Sequence, residues 1–233
     1  MAEALYYLSE ELAWAPTSAP RGQLVLISDA VESSGSFLVQ HFVALFLKAG
    51  HRVCFANFAN SREHYAAVGR KLGVNFASME AKASLQVIDC FALSSSSPFS
   101  SLLELFHAIA KFNSQPNDQD ESQDQAPVSI VIDDLSALKW QFGADQVLAF
   151  VRCCKTLTHA SNGRVNVVVL SHADTESTTS AAVSSSSPLK SLLTVQRQSS
   201  GLEPLRAPVT LSYKLLENTI RCFRSGGDAL RNI

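Results

Sequence analysis

Gln23-Leu-Val-Leu-Ile-Ser28, then Asp29-Ala-Val-Glu-Ser-Ser-Gly-Ser36, then a run from Phe37 to Gly50 decide the reading of this chain. The first stretch is apolar and long enough for one buried strand. The second is polar and ends on small residues. In the third, Phe37, Leu38, His41, Phe42, Leu45 and Phe46 recur at helical spacing, and Gly50 supplies the stop. Strand, small-residue loop and helix is the order in which a phosphate-binding P-loop is built. Such a loop holds phosphates with its N–H groups and the helix dipole. A Lys reaches the terminal phosphates and a Ser or Thr binds magnesium. With Gly35 as the second glycine of that motif, the first falls on Ala30, the Lys position on Ser36 and the Ser/Thr position on Phe37. Lys48 is the next Lys downstream, and twelve residues along a helix place it roughly 18 Å beyond Ser36. The degenerate positions Ser34, Gly35, Ser36 and Phe37 describe a nucleotide-binding scaffold without its nucleotide chemistry, so no cofactor is expected.

Outward from this unit the pattern repeats. Arg52–Phe58 and Leu85–Cys90 read as strands, and Ser61 caps a helix over Arg62–Leu72 that Gly73 ends. Phe99–Phe112 has helical spacing. Val128–Ile132 and Val165–Leu170 are near-continuous runs of Val and Ile without alternation, as expected of parallel strands buried on both faces. Asp145–Ala160 between them reads as a helix with Val147, Leu148, Val151, Cys154 and Leu157 inward. The alternation predicts an α/β layer fold with a mostly parallel sheet flanked by helices. After Pro188 the grammar changes: Leu192–Gln198, Val209–Leu216 and Thr219–Arg224 alternate, predicting an antiparallel extension of that sheet.

The 233 residues suit one such domain with extensions, or at most two small domains. We expect an N-terminal helix and linker over 1–20, with Leu5, Leu8 and Leu12 on one stripe, and one domain over 21–233. Two polar segments, 113–127 with Asp118, Asp120, Glu121 and Asp124, and the Ser-rich 175–188, read as mobile insertions. The net charge of −2 demands neither nucleic acid nor membrane. It is uneven: from Pro188 onward seven basic residues face three acidic ones, a local +4. Five scattered cysteines read as reduced thiols, not a disulfide framework. With no signal-like start and no run approaching a spanning helix, we expect a soluble protein of the cytosol or nucleus.

No catalytic constellation emerges. Asp133-Asp134 follows a buried strand where P-loop ATPases keep a magnesium-binding acid, so Asp133 is Walker-B-like. Without the Lys it has little to hold, and one of the two is expected to cap a helix over Leu135–Phe142 that Gly143 ends. Ser171-His172-Ala-Asp174 holds three triad residue types too close in sequence to face one another, and reads as a strand-end loop. His41, His51, His64, His107, His159 and His172 show no paired metal spacing, and Cys153 and Cys154 diverge on a helix. Neither catalytic nor metal residues are expected.

Two stretches carry a resemblance. Ser34-Gly35-Ser36-Phe37-Leu38-Val39-Gln40-His41-Phe42, with Leu45 to Lys48, is similar to the first strand–helix unit of the Elongator complex protein 6 family. His64-Tyr65-Ala-Ala-Val68-Gly69-Arg70-Lys71-Leu72-Gly73-Val74 resembles that family's next helix, in the same order and at a matching distance. The resemblance spans about Gly22–Val74. It implies a RecA-like fold without a nucleotide-binding signature. It also implies a heterohexameric ring with Elongator complex proteins 4 and 5, alongside the remaining Elongator subunits. That ring binds tRNA, and the assembly modifies its wobble uridine, the chemistry residing in another subunit. The implied location is mainly the cytoplasm, with the nucleus second. Two other readings stand beside it. One is a nucleotide-dependent enzyme with an atypical P-loop, which a Lys in Ser33–Phe37 would favour. The other is a regulatory recombination-type ATPase paralogue, which an aromatic-rich basic loop would favour.

Overall fold

A computed structural model describes residues 14–29, 34–91, 99–115 and 126–172, and the backbone of three strands between 191 and 224. The expected N-terminal helix lies outside these residues, as do 175–188 and most of 113–127. The chain divides into two compact units, Pro16–Asp174 and a second made of Met1–Ala15 with Thr175–Ile233.

The first unit is built on five parallel strands: β1 (Leu24–Asp29), β2 (Arg52–Asn57), β3 (Leu85–Asp89), β4 (Val128–Ile132) and β5 (Val165–His172), in the order β1-β5-β4-β2-β3. Burial explains their composition. β2 and β4 are buried at every position, and β5 everywhere except its last two residues. Strands covered on both faces exclude polar side chains unless these are paired, hence the Val, Ile and Phe runs. The edge strand β1 is mixed, with Leu26 exposed and Ile27 buried.

Among the described residues six α-helices flank the sheet: α1 (Ser36–Lys48), α2 (Arg62–Lys71), α3 (Phe76–Ala81), α4 (Leu102–Ser114), α5 (Leu135–Phe142) and α6 (Ala144–Ala160). Cys54, Ala56, Ile130, Ile132, Val167 and Val169 pack with Leu105 and Ile109 of α4, Leu138 of α5 and Phe150 of α6. On alternate positions the strands face α1 and α2. There Phe42 stacks on Phe46 at 5.7 Å and Phe55 meets Tyr65 edge-on at 4.8 Å.

Local chemistry sets the boundaries. Ser61 caps α2 by accepting from His64 N–H, as its sequence predicts. α4 starts at Leu102, not Phe99, because Ser101 accepts from Glu104 N–H while the Glu104 carboxylate accepts from Ser100 N–H and Oγ. This is a capping-box-like pair in which the carboxylate reaches one residue beyond the N-cap. The same helix continues to Ser114, two residues into the segment read as a loop. Its last carbonyls accept from Arg52, whose guanidinium bonds Phe112 O at 3.1 Å and Gln115 O at 2.6 Å and lies 4.4 Å from the Phe112 ring centre. Gly143, at φ +86°, makes the bend between α5 and α6 that an L side chain rarely adopts.

One expectation is overturned. Among the described residues the five-stranded sheet is wholly parallel, and no antiparallel strand extends it. β6 (Ser191–Val195), β7 (Val209–Leu216) and β8 (Thr219–Arg224) pair antiparallel in a separate three-stranded sheet, in the second unit. Alternating segments joined by turns specify antiparallel partners for one another, but nothing in their pattern says which other strand they join.

Candidate functional site

The positions singled out in the sequence gather at the carboxyl ends of β1, β4 and β5, the side of a parallel sheet where such folds bind ligands. Asp29 is the last residue of β1 and His172 the last of β5, and the two are register partners. Asp133 and Asp134 follow β4 directly.

Gly35 is the N-cap residue of α1, at φ −90° and ψ −1°. Its N–H donates to Asp29 Oδ2 at 2.7 Å. The other oxygen of that carboxylate, Oδ1, meets His172 Nδ1 at 2.5 Å. Ser36 N–H turns to Ser34 Oγ at 3.3 Å, and Leu38 N–H to Gly35 O at 2.9 Å. Three donors that a P-loop would offer to phosphate are therefore bonded within the chain. Gly35 is required by packing: an added Cβ would lie 2.8 Å from Ile27 Cγ2 and 3.1 Å from Leu170 Cδ1. Phe37 occupies the magnesium-ligand position with no oxygen to give. Lys48 sits at the far end of α1, its Nζ 3.5 Å from where a Gly73 Cβ would be. Ala30 lies outside the described residues.

The two aspartates after β4 divide the work. Asp134 caps α5, accepting from Ser136 N–H at 2.6 Å and Ala137 N–H at 3.2 Å. Asp133, 1% exposed, turns into the loop after β2. It accepts from Phe58 N–H at 2.6 Å, Ala59 N–H at 3.1 Å and the Tyr65 hydroxyl at 2.6 Å. Burial pushes its carboxyl up to about 6 against the pull of these three bonds. Burial, together with the Asp133 charge, also pushes the Tyr65 hydroxyl up, so it stays a donor. Both oxygens of Asp133 are thus engaged by protein donors.

Ser171 and His172 belong to β5, correcting the loop reading of that segment. Ser171 Oγ accepts from Lys139 Nζ at 2.8 Å, and His172 N–H donates to Ser136 Oγ at 3.1 Å. No local signal in the sequence links Lys139, Tyr65 or His172 to this corner. Only the strand order brings them together. Among the described residues, no cluster of three or more His, Cys, Asp or Glu is placed to hold a metal ion, and no helix is long and apolar enough to cross a membrane. Cys54, Cys90, Cys153 and Cys154 are free thiols, and burial pushes Cys54, Cys90 and Cys154 up to about 12.

A five-stranded parallel sheet flanked by helices, with a strand–loop–helix at β1–α1 and an acid after β4, defines a RecA-like α/β protein. A KaiC-like protein from Pyrococcus horikoshii shares this fold at a TM-score of 0.53, with 12% identity, over 94% of this chain and 96% of that one. The sequence model of the family described as Elongation complex protein 6 matches residues 6–99. Elongator complex protein 6 of Mus musculus is 32% identical over 189 residues, 74% of this chain and 70% of the relative. That of Rattus norvegicus is 32% identical over 186 residues, 72% of this chain and 68% of the relative. The chain belongs to the Elongator complex protein 6 family.

Proposed function

We propose that this chain is a non-catalytic structural subunit of Elongator. With Elongator complex proteins 4 and 5 it forms a heterohexameric ring that binds tRNA and supports wobble-uridine modification carried out by other subunits. It acts mainly in the cytoplasm and also in the nucleus. The observation that carries this reading is its 32% identity to Elongator complex protein 6 across 74% of its length. The corner geometry agrees with it: the α1 terminus is closed by Asp29, and the Asp133 carboxylate holds the protein's own loop. Trp140 on α5, 90% exposed, is an apolar side chain of the kind a neighbouring subunit covers. The local +4 charge after Pro188 is too small for tight RNA binding by one copy. A ring that repeats it concentrates the attraction.

The test is co-purification of the tagged full chain, with partners identified by mass, followed by tRNA binding of the chain alone and of the assembly at two salt concentrations. The expected outcome is an assembly with two further subunit types that binds tRNA far more tightly than the chain alone and weakens as salt rises. A monomer that binds tRNA as tightly as the assembly contradicts the reading.

A further inference from the structure

The charged residues of the first unit sort along the strand direction. In a parallel sheet joined through helices, strands start and their crossover helices finish at the same end. Short contacts mark that amino end here. Arg52, at the start of β2, bonds Phe112 O and Gln115 O at the end of α4, and its N–H donates to Pro127 O ahead of β4 at 2.8 Å. Val53 N–H donates to Ser84 O ahead of β3 at 2.8 Å. A Cβ added at Gly22, ahead of β1, would lie 2.8 Å from Gly163 Cα, ahead of β5. Arg21, Arg70, Lys71, Lys82 and Lys111 are exposed at this end, and Lys48 and Arg164 stand beside them. Of the eight acids among the described residues, seven stand at the other end. Asp29 and Asp89 close β1 and β3, Asp133 and Asp134 follow β4, and Glu63, Glu104 and Asp145 open α2, α4 and α6. The eighth, Glu80, pairs with Arg62.

Helix dipoles account for part of this sorting, since acids suit the first turn and Lys48, Arg70, Lys71 and Lys111 suit the last. They do not account for Arg21 and Arg164, which sit on loops ahead of strands. Among the described residues no carboxylate forms an ion pair with Arg70, Lys71, Lys82 or Lys111. The apolar anchors that a protein interface needs are elsewhere. Leu26 is in mid-β1, Phe91 lies beyond β3, Leu103 and Leu148 are in the first halves of α4 and α6, and Trp140 follows Lys139, which bonds Ser171 near the end of β5. Strands about 4.8 Å apart give the end of a five-stranded sheet a width of about 20 Å, over which a duplex presents several phosphates. We propose that the amino end of this sheet is a contact surface for the phosphate backbone of double-helical RNA. The proposal rests on the tRNA reading above and names both the surface and the part of the RNA it meets. Lys and Arg hold phosphates without reading bases. No Phe, Tyr or Trp is exposed at this end among the described residues, so nothing there stacks an unpaired base. The contact is therefore to helical stems and is independent of sequence.

Fluorescence anisotropy of a labelled RNA duplex of about 16 base pairs, and of a single strand of equal length, tests it at about 50 mM and about 200 mM salt. The full chain is used, because Asp118, Asp120, Glu121 and Asp124 carry the opposite charge and belong in the measurement. The duplex is expected to bind more tightly than the single strand, whatever its sequence, and to weaken as salt rises. Lys82→Gln with Lys111→Gln removes two exposed cations from this end. That pair is expected to weaken duplex binding about tenfold at the lower salt and to reduce the salt slope by about 1.5. Arg62→Gln with Arg152→Gln removes the same charge elsewhere and is expected to leave binding within about twofold. In the co-purified assembly the two pairs are expected to weaken tRNA binding in the same order. A duplex that the wild-type chain does not bind at the lower salt, equal losses from the two pairs, or tighter binding of the single strand overturns the proposal. So does capture of a polyglutamate probe in preference to the duplex, which would mark an acidic protein as the partner. An assembly that never forms contradicts the ring reading and leaves the duplex result standing on the chain alone.

Discussion

Two corners of the same sheet edge answer one question differently. At the β1–α1 corner the Gly35 N–H donates to a carboxylate from the end of β1. At the β4 corner the carboxylate that follows the strand accepts from three protein donors. One corner supplies an acceptor to a backbone donor; the other gathers three donors around one acceptor. A buried polar group must be paired, and at both corners the chain itself supplies the partners. The difference predicts unequal sensitivity, because Asp133 satisfies three donors and Asp29 one backbone donor and an imidazole.

The largest effect is expected at the β4 corner. Asp133→Ala leaves Phe58 N–H, Ala59 N–H and the Tyr65 hydroxyl without their acceptor, and is expected to lower stability by about 3–5 kcal/mol in urea unfolding. A loss below about 1 kcal/mol would show that this corner is held by something else.

Acid separates the groups further. Burial, helped by Lys48 for His41 and Arg21 for His51, lowers both histidines from 6.5 to about 4. Their unfolded forms take up protons first, so their contribution is present above 6.5 and is lost as pH falls towards 4. Asp133 runs the other way: raised from 3.8 to about 6, its contribution is full below 3.8 and is lost as pH rises through 6. Two histidines oppose one acid, so the chain is expected to lose stability between pH 6.5 and 4. Asp133→Asn is expected to steepen that loss, which urea midpoints measured across the window would register.

At the β1–α1 corner Gly35→Ala has no backbone strain to overcome, since φ is −90°. It forces Ile27 and Leu170 aside, with an expected cost of about 1–3 kcal/mol in urea unfolding. The smallest effect is the most telling. Ser36→Lys with Phe37→Thr restores the lost side chains, yet no saturable ATP binding is expected by calorimetry while Asp29 stays in place.

The fold of the first unit was legible because its signals are local. Near-continuous Val and Ile in β4 and β5 announced burial on both faces, and Ser61, Gly73 and Gly143 marked ends. The family was legible from 34–48 and 64–74, where side-chain identities go beyond what packing requires. That Ser36 and Phe37 stand at the Lys and Ser/Thr positions of the motif could be read from the sequence. The contacts of the two aspartates could not, because Asp29 meets His172 across 143 residues and Asp133 meets Tyr65 across 68. One long-range pairing did leave a trace. Ser129 and Asn166 are the polar second residues of β4 and β5, and they are register partners. Asn166 donates to Ser129 Oγ at 3.3 Å, which His51 Nδ1 meets at 2.9 Å, and Asn166 also accepts from Gln23 N–H, so the polar pair closes a buried network at the amino end of the sheet. The antiparallel strands were legible as strands but not as a separate sheet, because alternation encodes a face and not a partner.

The central claim is that this RecA-like chain has closed its own nucleotide site. Equilibrium binding of a fluorescent ATP analogue with magnesium, measured on the wild-type chain and again on the co-purified assembly, tests it most directly. The account predicts no saturable binding at this chain's β1–α1 corner in either sample. Micromolar, magnesium-dependent binding by the isolated chain, abolished by substitution at Gly35 or Asp133, would contradict it.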